Sequence, residues 1–424
     1  MLLIHTEISG SDFNKIHKDT KLYKFLNNDL IHNNFLYKLG LNIDFLPFNP
    51  ISTCLKGGLY FCEEIKCHLY WRSYGIKLAF VEVPDDARIY IEEDKFKADK
   101  LIITKIIDFD NVADDFWISM LSRDKKALKY IKNQTEELCK LAIQRDGTML
   151  QYVKEQTEEI CKIAVQQKSY ALQYVKEQTE EICKLAVQRD GEALQYVKEQ
   201  TEEICKMAVQ KCGFALEYVK KQTEELCKLA VQQDGNALEF VNKKFKTEEI
   251  CKLAVQQNGN ALEFVKEQTE EICKLAVQQH GLELDNVEIQ TEEICKLAVQ
   301  RDGEALEYVK EQTGEICKLA VQKNGLALQF VNNQTEEICK LAVQQNGSAL
   351  EFVKVSLLTK ELCKLAVRRD GKALQFVKEQ TEEICKLAVQ QNSGAIQYVK
   401  DQTEEICKLD VQQDYEAIKY VKNK

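Results

Sequence analysis

Cys62, Cys67 and His68, with Cys54 upstream, place four potential metal ligands within fifteen residues. Thiolate sulfur and imidazole nitrogen are ligands that zinc favours, but structural zinc sites space them in short regular steps, and this spacing is irregular. No metal is assigned. Of the seventeen cysteines in the chain, thirteen instead occupy one position of a repeating segment. Cysteines such as Cys183 and Cys205 recur singly, with neither a C-x-x-C step nor a nearby His. On stacked helices equivalent residues stand about 10 Å apart, beyond the roughly 7 Å Cα limit for a disulfide. They read as small, buried, reduced side chains.

Large apolar side chains at an otherwise polar position are the second kind of candidate. Thirteen residues after the Thr that opens each repeat, most units carry a polar or small residue, whereas four carry Tyr170, Phe214, Leu282 and Leu326. Apolar groups at such an edge suit the anchors of a protein partner; local packing over the next turn is the competing reading. Further candidates lie near the N-terminus. His5-Thr6, Gly58-Leu59-Tyr60-Phe61 and Tyr74 resemble the scattered strand motifs of ADP-ribosyl-transferring enzymes, in which a backbone turn and aromatics hold the nicotinamide end. That resemblance implies an enzymatic head, yet only Glu82 offers itself as a catalytic carboxylate. The chain as a whole is expected to be non-enzymatic and without a cofactor.

The elements that position these residues follow from the period. Thr135, Thr157, Thr179, Thr201, Thr223, Thr247, Thr269, Thr291, Thr313, Thr335, Thr359, Thr381 and Thr403 step by 22 residues, stretched to 24 before Thr247 and Thr359. In the unit Thr179–Gln200, Ile182, Cys183, Ala186 and Val187 share one helical face. Thr179 suits the N-cap, Glu180 and Glu181 suit the positive end of the helix dipole, and Glu180 can pair with Lys184. Gly191 is expected to end the helix in the left-handed conformation. Asp190 would then cap a shorter second helix carrying Ala193, Leu194, Tyr196 and Val197. A leucine-rich repeat of the same length would leave Cys183 and Ala186 exposed, so helix pairs fit better.

A 22-residue hairpin cannot bury its apolar face alone, so the units must stack as an α-solenoid, about 100 to 130 Å long at ordinary helix spacing. The fold is expected to be mainly α, with about thirteen helix-pair repeats over residues 123–424 behind a small α/β domain at 1–122. Within that domain residues 57–64, 77–84 and 100–107 read as strands and Phe13–Leu39 as helical. Glu283 replaces the usual Ala and Asn286 the usual aromatic, which marks Thr269–Gln290 as the weakest unit. Asp410 stands where the other units have Ala and Tyr415 where they have Gly or Ser. Asp410 is therefore expected to be a solvent-reaching structural cap.

The core Ala254-Val255-Gln256-Gln257-Asn258-Gly259-Asn260-Ala261-Leu262 resembles a repeat abundant in giant viruses of the mimivirus type, the domain of unknown function 4116 family. Gly58-Leu59-Tyr60-Phe61, Tyr74-Gly75 and Lys95-Phe96-Lys97-Ala98-Asp99-Lys100 resemble the head region of mimivirus-type ankyrin and other repeat proteins. The resemblance implies a helical repeat fold, a viral origin and location in host cytoplasm or virion, with no activity attached.

A net charge of -10 and pI near 5.4 weigh against nucleic-acid binding. No apolar run approaches a membrane span, and the opening MLLIHTEISG does not read as a secretory signal. The expected function is a protein–protein interaction scaffold or adaptor, monomeric, binding protein partners that include host proteins. A spacer array without a specific partner, and an enzymatic head, are the alternatives.

Overall fold

The computed structural model describes residues 4–51, 56–74 and 77–413. The chain divides into two compact units, Met1–Glu199 and Gln200–Lys424. The first holds a sheet domain and the opening repeats, the second the remaining repeats.

The sheet domain contains β1 (Thr6–Ser9), α1 (Gly10–Ile16), β2 (Leu22–Leu26), β3 (Ile31–His32), β4 (Phe35–Leu36), β5 (Gly40–Ile43), β6 (Leu59–Glu63), α2 (Cys67–Tyr74), β7 (Lys77–Glu82), β8 (Arg88–Ile91), β9 (Phe96–Ala98) and β10 (Lys100–Asp108). Eight strands form one sheet in the order β1-β8-β9-β6-β2-β7-β10-β5, antiparallel at every pairing, and β3 with β4 makes a small hairpin. The strands expected at 57–64, 77–84 and 100–107 are β6, β7 and β10. The helix expected over Phe13–Leu39 is not there. Only Gly10–Ile16 is α-helical, and Leu22–Leu26 is instead a strand buried on both faces, where a near-continuous apolar run fits strand and helix equally. Leu30, Asn33 and Asn34 adopt positive φ, which turns the chain twice and excludes a helix there. Phe13 packs edge-on to Phe61 and Phe96 in the core on one face of the sheet.

In each repeat a ten-residue helix follows the Thr, from Glu136–Arg145 to Glu404–Gln413. The Thr179 oxygen accepts from the Ile182 N–H at 3.4 Å and Lys184 pairs with Glu180 at 3.0 Å, as the sequence implies. The second element is not an α-helix but a six-residue 3-10 helix, Gly191–Tyr196, whose Asp190 cap accepts from the Glu192 N–H. At three residues per turn Leu194 and Val197 line up on one side, which suits a segment too short for α-helical turns.

The repeat register reaches further back than expected. Helix α3 (Asp114–Leu121) and the 3-10 helix Lys125–Tyr130 reproduce the two elements of a repeat that begins at Ala113, 22 residues before Thr135, with Asp124 capping the second. This additional unit joins the sheet domain to the array. Trp71 of α2 meets Tyr130 edge-on at 4.5 Å and Trp117 of α3 at 6.5 Å, and Lys132 pairs with Asp110.

The repeat glycines do not serve the expected purpose. Among the described glycines only Gly40, Gly57 and Gly58 have positive φ, so Gly191 and its equivalents are not left-handed caps. They open the 3-10 helix where the neighbouring backbone comes close. A Cβ on Gly303 would lie 2.6 Å from the Ala320 carbonyl oxygen and 2.9 Å from the Asn324 Cβ of the next repeat. Gly314, by contrast, sits in a first helical turn with nothing within 4 Å of such a Cβ. Gly303→Ala should therefore cost about 2–3 kcal/mol by overpacking, whereas Gly314→Ala should leave stability unchanged or raise it by up to about 1 kcal/mol through helix propensity. Denaturant unfolding of the two variants decides; equal effects would contradict the close-approach role.

Candidate interaction surface

The surface of the array depends on what joins one repeat to the next. The Gln before each Thr is central. Gln312 Nε2 donates to the Leu306 carbonyl at 3.4 Å and to the Phe330 carbonyl of the following repeat at 2.8 Å. Its Oε1 accepts from the Asn332 N–H at 3.0 Å and from the Cys317 thiol at 3.7 Å. One amide thus bonds four groups at the seam, among them the Phe330 carbonyl and the Asn332 N–H that the end of the next 3-10 helix leaves open. Gln134 does the same with Leu128, Tyr152, Lys154 and Cys139. The two 24-residue repeats lose this Gln to Lys246 and Leu358. There the extra residues form short 3-10 turns, Lys243–Phe245 and Val355–Leu357, and the Lys246 ammonium donates to the Phe264 carbonyl at 3.4 Å. Their recurrence at one position, lost only with the insertions, is the signal that the sequence carries for this bridge.

The repeat cysteines are buried and free, with Cys407 half-buried. Their thiols donate to the same glutamines, so they do more than fill space. The outward charges also couple repeats. Lys252 pairs with Glu248 of its own helix at 3.0 Å and Glu271 of the next at 2.6 Å, and Lys274 repeats this with Glu270 and Glu293. On another line, Lys176 donates to the Lys154 carbonyl and Lys354 to the Asn332 carbonyl, each at 2.7 Å. Exposed pairs of this kind contribute little individually.

The four candidate anchors do not behave alike. Phe214 is half-buried and packs edge-on against Phe240 of the next repeat at 5.9 Å, and Leu326 is half-buried too. Local packing absorbs both. Tyr170 and Leu282 are exposed, Tyr170 with the Lys168 ammonium 5.5 Å from its ring. The four lie in non-consecutive repeats, so no two share a seam.

Leu282 has a companion: Ile289, in the same Thr269 repeat, is 77% exposed. This unit is irregular in other ways. Glu283 is buried and accepts from the Asn286 amide at 2.9 Å, so the two residues expected to weaken the unit satisfy one another. Asn286 itself is exposed, hence no buried aromatic site is lost there. The seam before the unit is nevertheless wider: a Cβ on Gly259 would lie 3.1 Å from the Ala276 carbonyl, against 2.5 Å from Ala298 for Gly281. Asp410 does not reach water as expected. It holds the register of the buried alanines on its helix, and that face turns inward, so its side chain is fully buried. Tyr415 lies outside the described residues.

In the sheet domain Cys62 and Cys67 face each other at 3.9 Å between sulfurs, while the His68 ring is bonded to the Ile65 carbonyl at 3.0 Å. Cys54 lies outside the described residues, and among those described no group of three or more His, Cys, Asp or Glu gathers. His5 bonds Tyr90, Tyr60 lines a pocket between β2 and β6, and Glu82 is exposed at the end of β7. The Tyr74 side chain and Gly75 are outside the described residues. Among the described residues no helix is long and apolar enough to cross a membrane.

The architecture defines a tandem-repeat protein, mostly helical, headed by an antiparallel sheet. Residues 135–178, 179–222, 223–269, 291–334, 313–358 and 359–403 match the family described as Domain of unknown function (DUF4116), more than half of the sequence, and the chain belongs to that family. The Thr269 unit falls almost wholly between the matched segments. No curated protein matches the chain.

Gln312→Ala should destabilise its seam by about 2–3 kcal/mol, because the Phe330 carbonyl and the Asn332 N–H lose their partner, whereas the Leu306 carbonyl keeps the Val309 N–H. Hydrogen exchange should show the Asn332 amide losing protection first; unchanged protection would refute the bridge. A second expectation concerns alkali. Burial raises the repeat thiols above their usual value, Cys227 to about 11. The fold therefore favours the protonated thiol. Its contribution is complete below the unfolded thiol pKa near 8.5 and is lost as pH rises through the folded one, on the order of 1 kcal/mol per thiol. The melting temperature should hold to about pH 8 and fall steeply between about 9 and 11, and replacing the repeat cysteines with Ala should flatten that fall.

Proposed function

We propose that the repeats stack as an α-solenoid that serves as a non-enzymatic protein-binding scaffold, with the Thr269 repeat as its principal recognition point. The observation that carries this reading is the exposed pair Leu282 and Ile289 on the one repeat whose seam is widened. Elsewhere the glutamines, thiols and Lys–Glu pairs are occupied with neighbouring repeats. Exposed apolar groups set among satisfied polar ones suit an interface anchor. The likeness to mimivirus-type repeats extends the proposal to a viral origin and a host protein as partner, met in host cytoplasm or the virion. A spacer role is the second reading, favoured by the inward commitment of Lys252, Lys274 and their equivalents.

Crosslinking of the full chain in host cell extract, compared with a Leu282→Ser, Ile289→Ser variant, is the test. A protein crosslinked near residues 280–290 should be retained by the original chain and lose at least about tenfold in affinity with the variant, corresponding to truncation of anchor residues. Identical capture by both, at equal melting temperature, would reject the recognition point. Capture by neither would favour the spacer.

A further inference from the structure

The sheet of the head is split at its centre. Strands β2 and β6 are each five residues long but pair only at Leu22 with Glu63 and Tyr23 with Cys62. Beyond Tyr23 they diverge, and a pocket of about 110 Å³ opens between them. That volume holds several waters or one small organic molecule. Its walls include Tyr23, Phe25, Tyr60 and Phe61, with Tyr70 and Lys95 also lining it. No carboxylate lines it.

Lys24 lies in this split and is 2% exposed. Its Nζ donates to the Tyr60 carbonyl across the gap at 2.7 Å and meets His32 Nδ1 at 3.0 Å, 4.4 Å from the centre of the Tyr37 ring. No carboxylate pairs with it among the described residues. The two bonds use both N–H groups of a neutral amine and leave its lone pair. A charged ammonium in the same place would be desolvated without a counter-ion, a costly state.

We propose that the split is a binding site for a small aldehyde or ketone that condenses with Lys24. The amine nitrogen attacks the carbonyl carbon, forming a C–N bond and a carbinolamine; the C–O bond then breaks and water leaves with two protons from the amine, giving an imine. No oxidant or reductant is needed. The aromatic walls favour a small apolar or flat carbonyl compound. Burial supports the chemistry, since it lowers the Lys24 ammonium to about 7. Desolvated lysines of this kind are nucleophilic at neutral pH. Burial likewise keeps His32 neutral, at about 3, and in the tautomer protonated on Nε2 its Nδ1 accepts the bond; burial also holds the Tyr37 and Tyr70 phenols protonated. The groups facing the amine are thus His32, Tyr37, Tyr60, Cys62, Tyr70 and Lys95.

Limiting propanal with cyanoborohydride, which supplies the hydride that traps an imine as a propyl-amine, tests this on the intact chain by peptide mass mapping. Lys24 should be modified at pH 7 at least about tenfold faster than exposed lysines such as Lys176. Its rate should rise with a midpoint near 7, whereas exposed lysines should rise towards about 10.4. If Lys24 serves only to staple β2 to β6, it will stay unmodified in the folded chain and react only after denaturation, and the proposal is wrong. A midpoint shared with the exposed lysines would equally overturn it.

Discussion

The array rests on one amide per repeat. A 3-10 helix of six residues leaves carbonyls and N–H groups open at its ends, and a 22-residue unit has too few residues to cap them from within. Outside the two 24-residue repeats, the Gln preceding the Thr bonds two carbonyls, one N–H and one thiol, as Gln290 does, drawing three of the four from the next repeat. Cohesion between units is thus directional as well as hydrophobic. A shift of one residue would break all four contacts, which fixes the stacking register more sharply than burial of Ala and Leu could.

Other features follow from that register. Because the seam is held at backbone distance, the Gly that opens most of the 3-10 helices faces a carbonyl with little room for a Cβ, as Gly325 does with Ala342, although Ser169 and Ser393 stand at that position in two repeats. The thiol must remain protonated to donate. Helix termini one repeat apart bring a Lys such as Lys228, Lys252 or Lys274 between two glutamates, its own and the next unit's. Where the Gln is missing, two added residues are needed to turn the chain, and the core nonetheless keeps its pattern: Cys251 and Cys363 stay buried like their equivalents.

Much of this was legible because capping and ion pairing are local. Thr179, Asp190 and the Glu180–Lys184 pair lie within four residues of their partners, and sequence spacing decides such contacts. The misreadings share the opposite property. Gly191 was assigned a backbone conformation when the constraint on its class is a carbonyl twenty or so residues away. Gln312 carries no local signal of its role because three of its four partners belong to the next repeat. Leu22–Leu26 could be either helix or strand until its sheet neighbours were known. Asp410 was expected to meet water by its place near the chain end, whereas the face it shares with the alanines turns inward regardless. The unit at Ala113 escaped notice because Trp117 and Lys125 replace its Cys and Gly, although the 22-residue step was intact.

Regularity carries a cost for recognition. A partner binding a surface that recurs every 22 residues would have nearly equivalent registers to choose from, and affinity for the right one would not exceed affinity for its neighbours. A specific site therefore needs a unit that differs outwardly while keeping its inward bonds. The insertions before Thr247 and Thr359 change the connection and leave Lys252 and Lys364 paired with the following repeats. The Thr269 unit does more. Gln268 and Gln290 still bridge their neighbours, so the stack is unbroken on both sides. Between them Glu283 and Asn286 bond to each other, and Leu282 and Ile289 face outward. Among the described repeats this unit exposes two large apolar side chains while both flanking glutamines still bridge, where the Thr157 unit exposes Tyr170 alone, which makes it the position where a binding register could be fixed without weakening the array.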